Sequence, residues 1–163
     1  MKKIEVTHPQ IKLVGISSRT NNMSEMNPMT AKILPTLQRY GQEKIASLIP
    51  HKKNEGVTFC AYTQYESDYL GDYTYFVGEE VTSFENVPDT LDQLTIPIQV
   101  YAKFTSEPGI MPAVCIHMWQ KIWQEPEILG GKRTYHTDFE VYDKRALDPT
   151  QAVLDIYVGI HPS

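Results

Sequence analysis

The sequence has no run of lysine and arginine, no long apolar stretch and only two cysteines. Each shortage removes a class of function. Without a concentrated basic face, and with a formal net charge of −5, the chain lacks the electrostatic footprint of a nucleic-acid binder. No segment approaches the roughly 18 apolar residues that a membrane span requires. The opening Met1-Lys2-Lys3 runs into IEVTHPQIK before the apolar core of a signal peptide forms. Cys60 and Cys115 share no metal-ligand or redox spacing, which points to free thiols in a reducing cytoplasm. There is no nucleophile elbow, no glycine-rich phosphate loop and no metal-ligand cluster. Neither a cofactor nor a metal is expected, and an enzyme is not the favoured reading.

What the chain does have is tyrosine, ten residues in 163, beside five Phe and two Trp. Tyr62, Tyr65, Tyr69, Tyr73 and Tyr75 crowd between Phe59 and Phe76. A tyrosine has a large apolar ring with a polar tip, so it suits interfaces and ligand pockets. Plain β-propensity accounts for the same residues without any ligand.

The order of elements repeats. IKLVGISSRT (Ile11–Thr20) reads as a strand. A helix follows, starting at Asn27-Pro28 or nearer Pro35 and stopping at Pro50. VTFCAYTQYE (Val57–Glu66) and YTYFVGEEVT (Tyr73–Thr82) are strands. LTIPIQVYAKFTS (Leu94–Ser106) opens the second half as one strand interrupted by Pro97. A helix from about Ile110, a strand KRTYHTDFEVYD (Lys132–Asp143) and a strand AVLDIYVGI (Ala152–Ile160) complete it. Corresponding elements are roughly 80 residues apart. The plan is α+β, a βαββ module used twice with pseudo-two-fold symmetry: antiparallel sheets and two main helices around a central groove. The expected organisation is a single domain over 1–163, with halves of about 9–84 and 91–161. Met1 to His8 is a short extension. Ligand sites favour the junction between such halves.

YTYFVGEEV followed by LTIPIQVYAKFTSEPG, with MWQKIWQ, DFEVYD and VLDIYVGI later in the same order, resembles the gyrase-inhibitor-like, or AraC-type, bacterial effector-binding domain family. The stand-alone form is similar to integron-cassette proteins that bind cationic drugs. The resemblance covers nearly the whole chain. It implies a small-molecule sensor or drug-sequestering protein with an aromatic groove for bulky hydrophobic cations. No helix-turn-helix precedes Ile11, so direct DNA binding is not expected; a protein partner, either a DNA-binding module or gyrase, takes its place. A gyrase-type partner would be met by an acidic surface around Glu79, Glu80 and Glu85.

In the family a glutamate of the penultimate strand meets the ligand's positive charge, and the matching residue is Glu140. Alternation puts Asp138, Glu140 and Tyr142 on one face of that strand. Asp138 is expected at the rim, and Tyr142 either bonds Glu140 or walls the pocket. The family position also favours Tyr75 as a wall, with Tyr62 and Tyr101 behind it, and Trp119 bordering the groove from the helix. The alternative for Glu140 is a solvated strand residue, and for Trp119 and Trp123, four apart on one helix face, a core stripe. A hydrolase would use Glu140 as base. His136 on the same face is then about 13 Å away along the strand, too far to assist, and Cys115 on an apolar helix face reads as inert.

Overall fold

The computed structural model describes residues 1–162. Eight strands form one antiparallel sheet: β1 (Lys2–His8), β2 (Ile11–Thr20), β3 (Thr58–Thr63), β4 (Tyr73–Glu80), β5 (Asp92–Ile96), β6 (Gln99–Thr105), β7 (Gly131–Tyr142) and β8 (Asp155–Pro162). The helices are a single turn α1 (Asn22–Glu25), then α2 (Ile33–Gln42) and α3 (Ala113–Gln124). No helix among the described residues is long and apolar enough to cross a membrane.

The strand order is β1-β6-β8-β7-β3-β4-β2-β5. This is the duplicated plan made visible. β3-β4-β2 of the first half mirrors β7-β8-β6 of the second, and the halves join where β3 pairs with β7, Ala61 opposite Phe139. The outer strands are exchanged. β1 leads into β2 but pairs with β6, whereas β5 leads into β6 but pairs with β2. Each exchange occurs at a proline, Pro9 in one half and Pro97 in the other. Proline has no N–H to give a ladder, so it ends one pairing and lets the chain begin another. The segment Leu94–Ser106 is therefore two strands on opposite sides of the sheet, not one. Met1–His8 is mostly a sheet strand rather than an extension.

Both faces of the sheet are buried, by different means. One carries α2 and α3. The Ser18 and Thr36 hydroxyls, 2.6 Å apart, tie α2 to β2. Beneath α2 lie Val14, Ile16, Tyr75 and Val77, and beneath α3 lie Ala102, Phe104, Ile156 and Val158. The opposite face carries no helix, yet Leu13, Ala61, Tyr101 and Phe139 there are fully buried. They pack there with Ile11, Phe59, Phe76, Leu94 and Ile96 in one cluster drawn from both halves. Gly15 and Gly78 face each other across β2 and β4. A Cβ at Gly15 would collide with the Val77 carbonyl, and one at Gly78 with the Val14 carbonyl, so only glycine permits this approach.

The first-half helix begins at Ile33, between the two expected starts. Its N-terminus is capped from a distance: the Glu25 carboxylate accepts from the backbone N–H groups of Lys32 and Ile33 at 2.8 and 3.1 Å. This satisfies donors that every helix start leaves open. Asn21, not Asn27, is an N-cap, accepting from the Ser24 N–H of α1.

Candidate functional site

β7 is the centre of the site because it joins the halves. Glu140 lies in register with Cys60 of β3 and Ile156 of β8, under the space between α2 and α3. Its side chain is only 4 % exposed. Three neutral groups hold it. The Tyr62 hydroxyl and the Trp119 indole N–H donate to Oε2 at 2.8 and 2.7 Å, and the Tyr142 hydroxyl donates to Oε1 at 2.6 Å. Among the described residues no Lys, Arg or His comes within ion-pair distance of this carboxylate. The strand, the neighbouring strand and the helix each contribute a donor, so the sheet and α3 meet at one buried charge.

Above Glu140 is a cavity of about 490 Å³. Ile33 and Leu37 of α2 form one wall, Cys115, Ile116, Trp119 and Trp123 of α3 the other, with Tyr62, Tyr75 and Tyr142 on the floor. Tyr62 packs edge-on against both Tyr75 and Trp119, with ring centroids 5.4 and 5.6 Å apart. Trp123 stacks on Trp119 at 5.9 Å and is 60 % exposed, so it forms the mouth. Burial, and then the charge of Glu140, push the phenols of Tyr62 and Tyr142 well up from the ordinary tyrosine value. They remain protonated donors. The same two causes push up the thiols of Cys60 and Cys115, which line the cavity as thiols rather than thiolates.

Five of the six expected site residues therefore come together: Glu140, Tyr142, Tyr75, Tyr62 and Trp119. Tyr101 does not. It is fully buried on the helix-free face, against Phe139 and Tyr157 with ring centroids 5.2 and 5.7 Å away. Its strand β6 reaches the central strands through β8, and the pleat turns residue 101 away from α3 while Ala102 faces it.

Two charges also differ from expectation. Asp138 is not at a rim. It is fully buried, bonded to Arg133, to the Tyr65 hydroxyl at 2.8 Å and to the Gly159 N–H at 2.9 Å. Glu79 is 3 % exposed and lies 3.8 Å from Lys52, while Glu80 pairs with Lys53 at 3.6 Å. The acidic surface suggested by Glu79 and Glu80 is thus largely internal or neutralised.

Cys60, Cys115 and Trp123 were not singled out as pocket residues in the sequence, although their spacing contained the signal. Cys60 alternates with Tyr62, and Cys115 is one turn from Trp119. The missing information was which face the helices cover.

The chain is similar to known proteins in sequence and in fold. The chain is 32% identical over 158 residues, 95% of its length and 96% of the relative's, to YobU of Bacillus subtilis, a protein named as a candidate transcriptional regulator. The fold is similar to an integron cassette protein from the mobile metagenome of Vibrio cholerae, with a TM-score of 0.78, 25% identity and coverage of 98% and 95% of the two chains. It is also similar to SAV2435 solved with bound tetraphenylphosphonium, with a TM-score of 0.75, 19% identity and coverage of 99% and 94%. Residues 5–160 match the Cass2 family of integron-associated effector binding proteins, and the chain belongs to that family.

Proposed function

We propose that this effector-binding chain takes a bulky hydrophobic cation into the groove between α2 and α3, with Glu140 as the counter-charge. The observation that carries the reading is the buried carboxylate held by three neutral donors and no protein cation. Hydrogen bonds soften the cost of burying a charge, but a paired cation removes more of it. A lipophilic cation supplies the charge, and its apolar body displaces water from an aromatic cavity. Each aromatic face adds about 0.5–2 kcal/mol of cation–π attraction. A neutral analogue of the same shape desolvates Glu140 further without compensating it, so the site discriminates by charge. The net charge of −5 adds weak long-range attraction for cations.

The tetraphenylphosphonium complex of SAV2435 supports this ligand class, and the name given to YobU supports an output in transcription. Two free cysteines fit a reducing compartment such as the cytoplasm. Receptor chemistry is favoured over catalysis because both cavity thiols are held protonated and all three donors on Glu140 act to fix it in place.

Thermal denaturation with tetraphenylphosphonium and with neutral triphenylphosphine oxide tests the proposal, on the native chain and on Glu140→Gln. A ligand at a hundred times its Kd stabilises by about 2.7 kcal/mol. The cation is expected to raise the melting temperature of the native chain only. Equal shifts with both compounds on both proteins would remove Glu140 from the binding reaction.

A further inference from the structure

The Glu140 cavity has a neighbour. A smaller cavity of about 170 Å³ adjoins it, and Tyr62, Trp119 and Trp123 wall both. The remaining walls of the smaller lobe are mainly tyrosine: Tyr65, Tyr69, Tyr73 and Tyr135. Two charged residues also reach it, and both are already engaged. Glu25 accepts from the Thr20 hydroxyl and from the N–H groups that start α2. Arg133 is paired with Asp138 and lies over the Tyr135 ring, 4.4 Å from its centroid. The Tyr65 hydroxyl is bonded to Asp138 as well. The lobe therefore presents mainly ring surface, with the half-buried Glu25 held by neutral donors only and Arg133 Nε buried without a hydrogen-bond partner among the described residues.

Its size is informative. A dry cavity of about 150 Å³ lined by apolar side chains accepts a benzene molecule. A 170 Å³ lobe walled by aromatic rings has room for one aryl group and not for a second bulky body. Ring pairs in edge or offset contact are favoured beyond the area they bury.

We infer that the smaller lobe is an aryl subsite, and that the ligand is a cation carrying an aromatic ring set apart from its charge. The charge lies over Glu140 and the ring enters between Tyr69, Tyr73 and Tyr135. Trp119 and Trp123 form the partition that both parts touch. This deepens the cation-binding reading and rests on it. It adds a requirement that charge compensation alone does not impose: ligands are ranked by the presence and reach of a ring, not by apolar bulk.

Matched probes separate the two ideas. Phenylalkyl-trimethylammonium ions with two to six methylenes are compared with alkyl-trimethylammonium ions of equal carbon number, with Kd read from tryptophan fluorescence. The alkyl chains are the more apolar members, so a plain greasy groove favours them. The aryl subsite instead makes the phenyl probe bind roughly three- to tenfold tighter at one preferred spacer length. In Tyr69→Ala, on a loop where the side chain is 56 % exposed, this aryl-to-alkyl ratio falls to about one. The same is expected of Tyr135→Asn, chosen because Tyr135 has φ 53° and Asn tolerates that region. Glu140→Gln weakens both probes by the same factor. A ratio near one in the native chain, or a ratio that survives both tyrosine variants, overturns the subsite while the Glu140 reading stands. Binding of both probes that is indifferent to Glu140→Gln overturns the cation reading itself, and the subsite with it.

Discussion

Asp138 and Glu140 are two residues apart on β7, point to the same face and are both buried, yet their surroundings differ in kind. Asp138 has a guanidinium, a phenol and a backbone N–H, so its charge is balanced within the protein. Glu140 has three neutral donors and an open cavity. Burial alone therefore does not mark a binding carboxylate. The mark is a fixed, desolvated charge whose opposite sign the chain does not provide. The first region is a closed ion pair that fastens the bulge of β7, where the register with β8 shifts between Arg133 and Asp138. The second is an open half of an ion pair.

The largest expected effect lies in the closed region. Asp138→Asn leaves Arg133 as an uncompensated buried cation, which typically costs about 3–5 kcal/mol. Urea denaturation should show that loss as a lower midpoint with an unchanged slope. Adding Arg133→Met should recover much of it, because a matched apolar replacement of a buried pair is often tolerated. A loss below about 1 kcal/mol in the single variant would erase the distinction drawn between the two carboxylates.

Glu140→Gln should behave in the opposite way. No protein cation is stranded by it. The amide oxygen still accepts from Tyr62 and Trp119, and the Tyr142 hydroxyl can rotate to accept from the amide N–H₂. Stability is expected to change by no more than about 1 kcal/mol. Affinity for tetraphenylphosphonium should fall by about a hundredfold, near the lower end of what losing one partner of a buried charge pair costs. Urea denaturation measures the first and isothermal titration on folded protein the second. A variant that loses several kcal/mol of stability but retains affinity would reverse the roles assigned to the two regions.

Alkaline pH offers a third comparison, between the two faces of the sheet. Burial raises Tyr73 on the helix-covered face and Tyr101 on the helix-free face each to about 12. The unfolded phenols titrate near 10. A raised folded value means the native state holds its protons longer. This stabilisation is complete below about pH 10 and is lost as pH rises through about 12. Circular dichroism against pH should show stability declining across that window. Tyr101→Phe should remove the contribution of the helix-free face and leave that of Tyr73 intact.

Much of this arrangement was legible in the sequence because period-two alternation and turn residues survive in every central strand. DFEVYD reads as a strand with Glu140 opposite Phe139, and so it is. The exchanged edges were not legible. Pro97 inside LTIPIQVYAKFTS looks like an irregularity in one strand, and KKIEVTH, although Lys3 to Thr7 alternate polar and apolar residues, is short and largely exposed, so little in it distinguishes a sheet strand from an extension. The balance of Asp138 was hidden for a different reason. Its partner Arg133 is five residues back on the same strand, brought into contact only by the bulge that includes Tyr135 at φ 53°. For Glu140, alternation assigns a face but not what covers it, and cover is what separates a solvated carboxylate from a binding one. Tyr101 was misplaced by the same gap: its ring was expected in the groove, and the pleat of β6 sends it to the other side.

Tyr101→Phe is the smallest change and tests that assignment directly. The Tyr101 hydroxyl is buried and has no hydrogen-bond partner among the described residues. The nearby Gln99 amide is engaged by the Thr134 hydroxyl and the Thr137 carbonyl, at 2.8 and 3.0 Å. A buried hydroxyl without a partner is a liability, so removing it should leave stability unchanged or raise it by up to about 1 kcal/mol at neutral pH. The ring, which makes the contacts with Phe139 and Tyr157, is retained. Because the residue faces away from α3, affinity for tetraphenylphosphonium should not change. Tyr62→Phe shares the chemistry of the substitution but removes a donor from Glu140, so it should weaken cation binding even if stability is preserved. Finding ligand affinity sensitive to Tyr101→Phe and not to Tyr62→Phe would mean that the groove lies on the other face of the sheet.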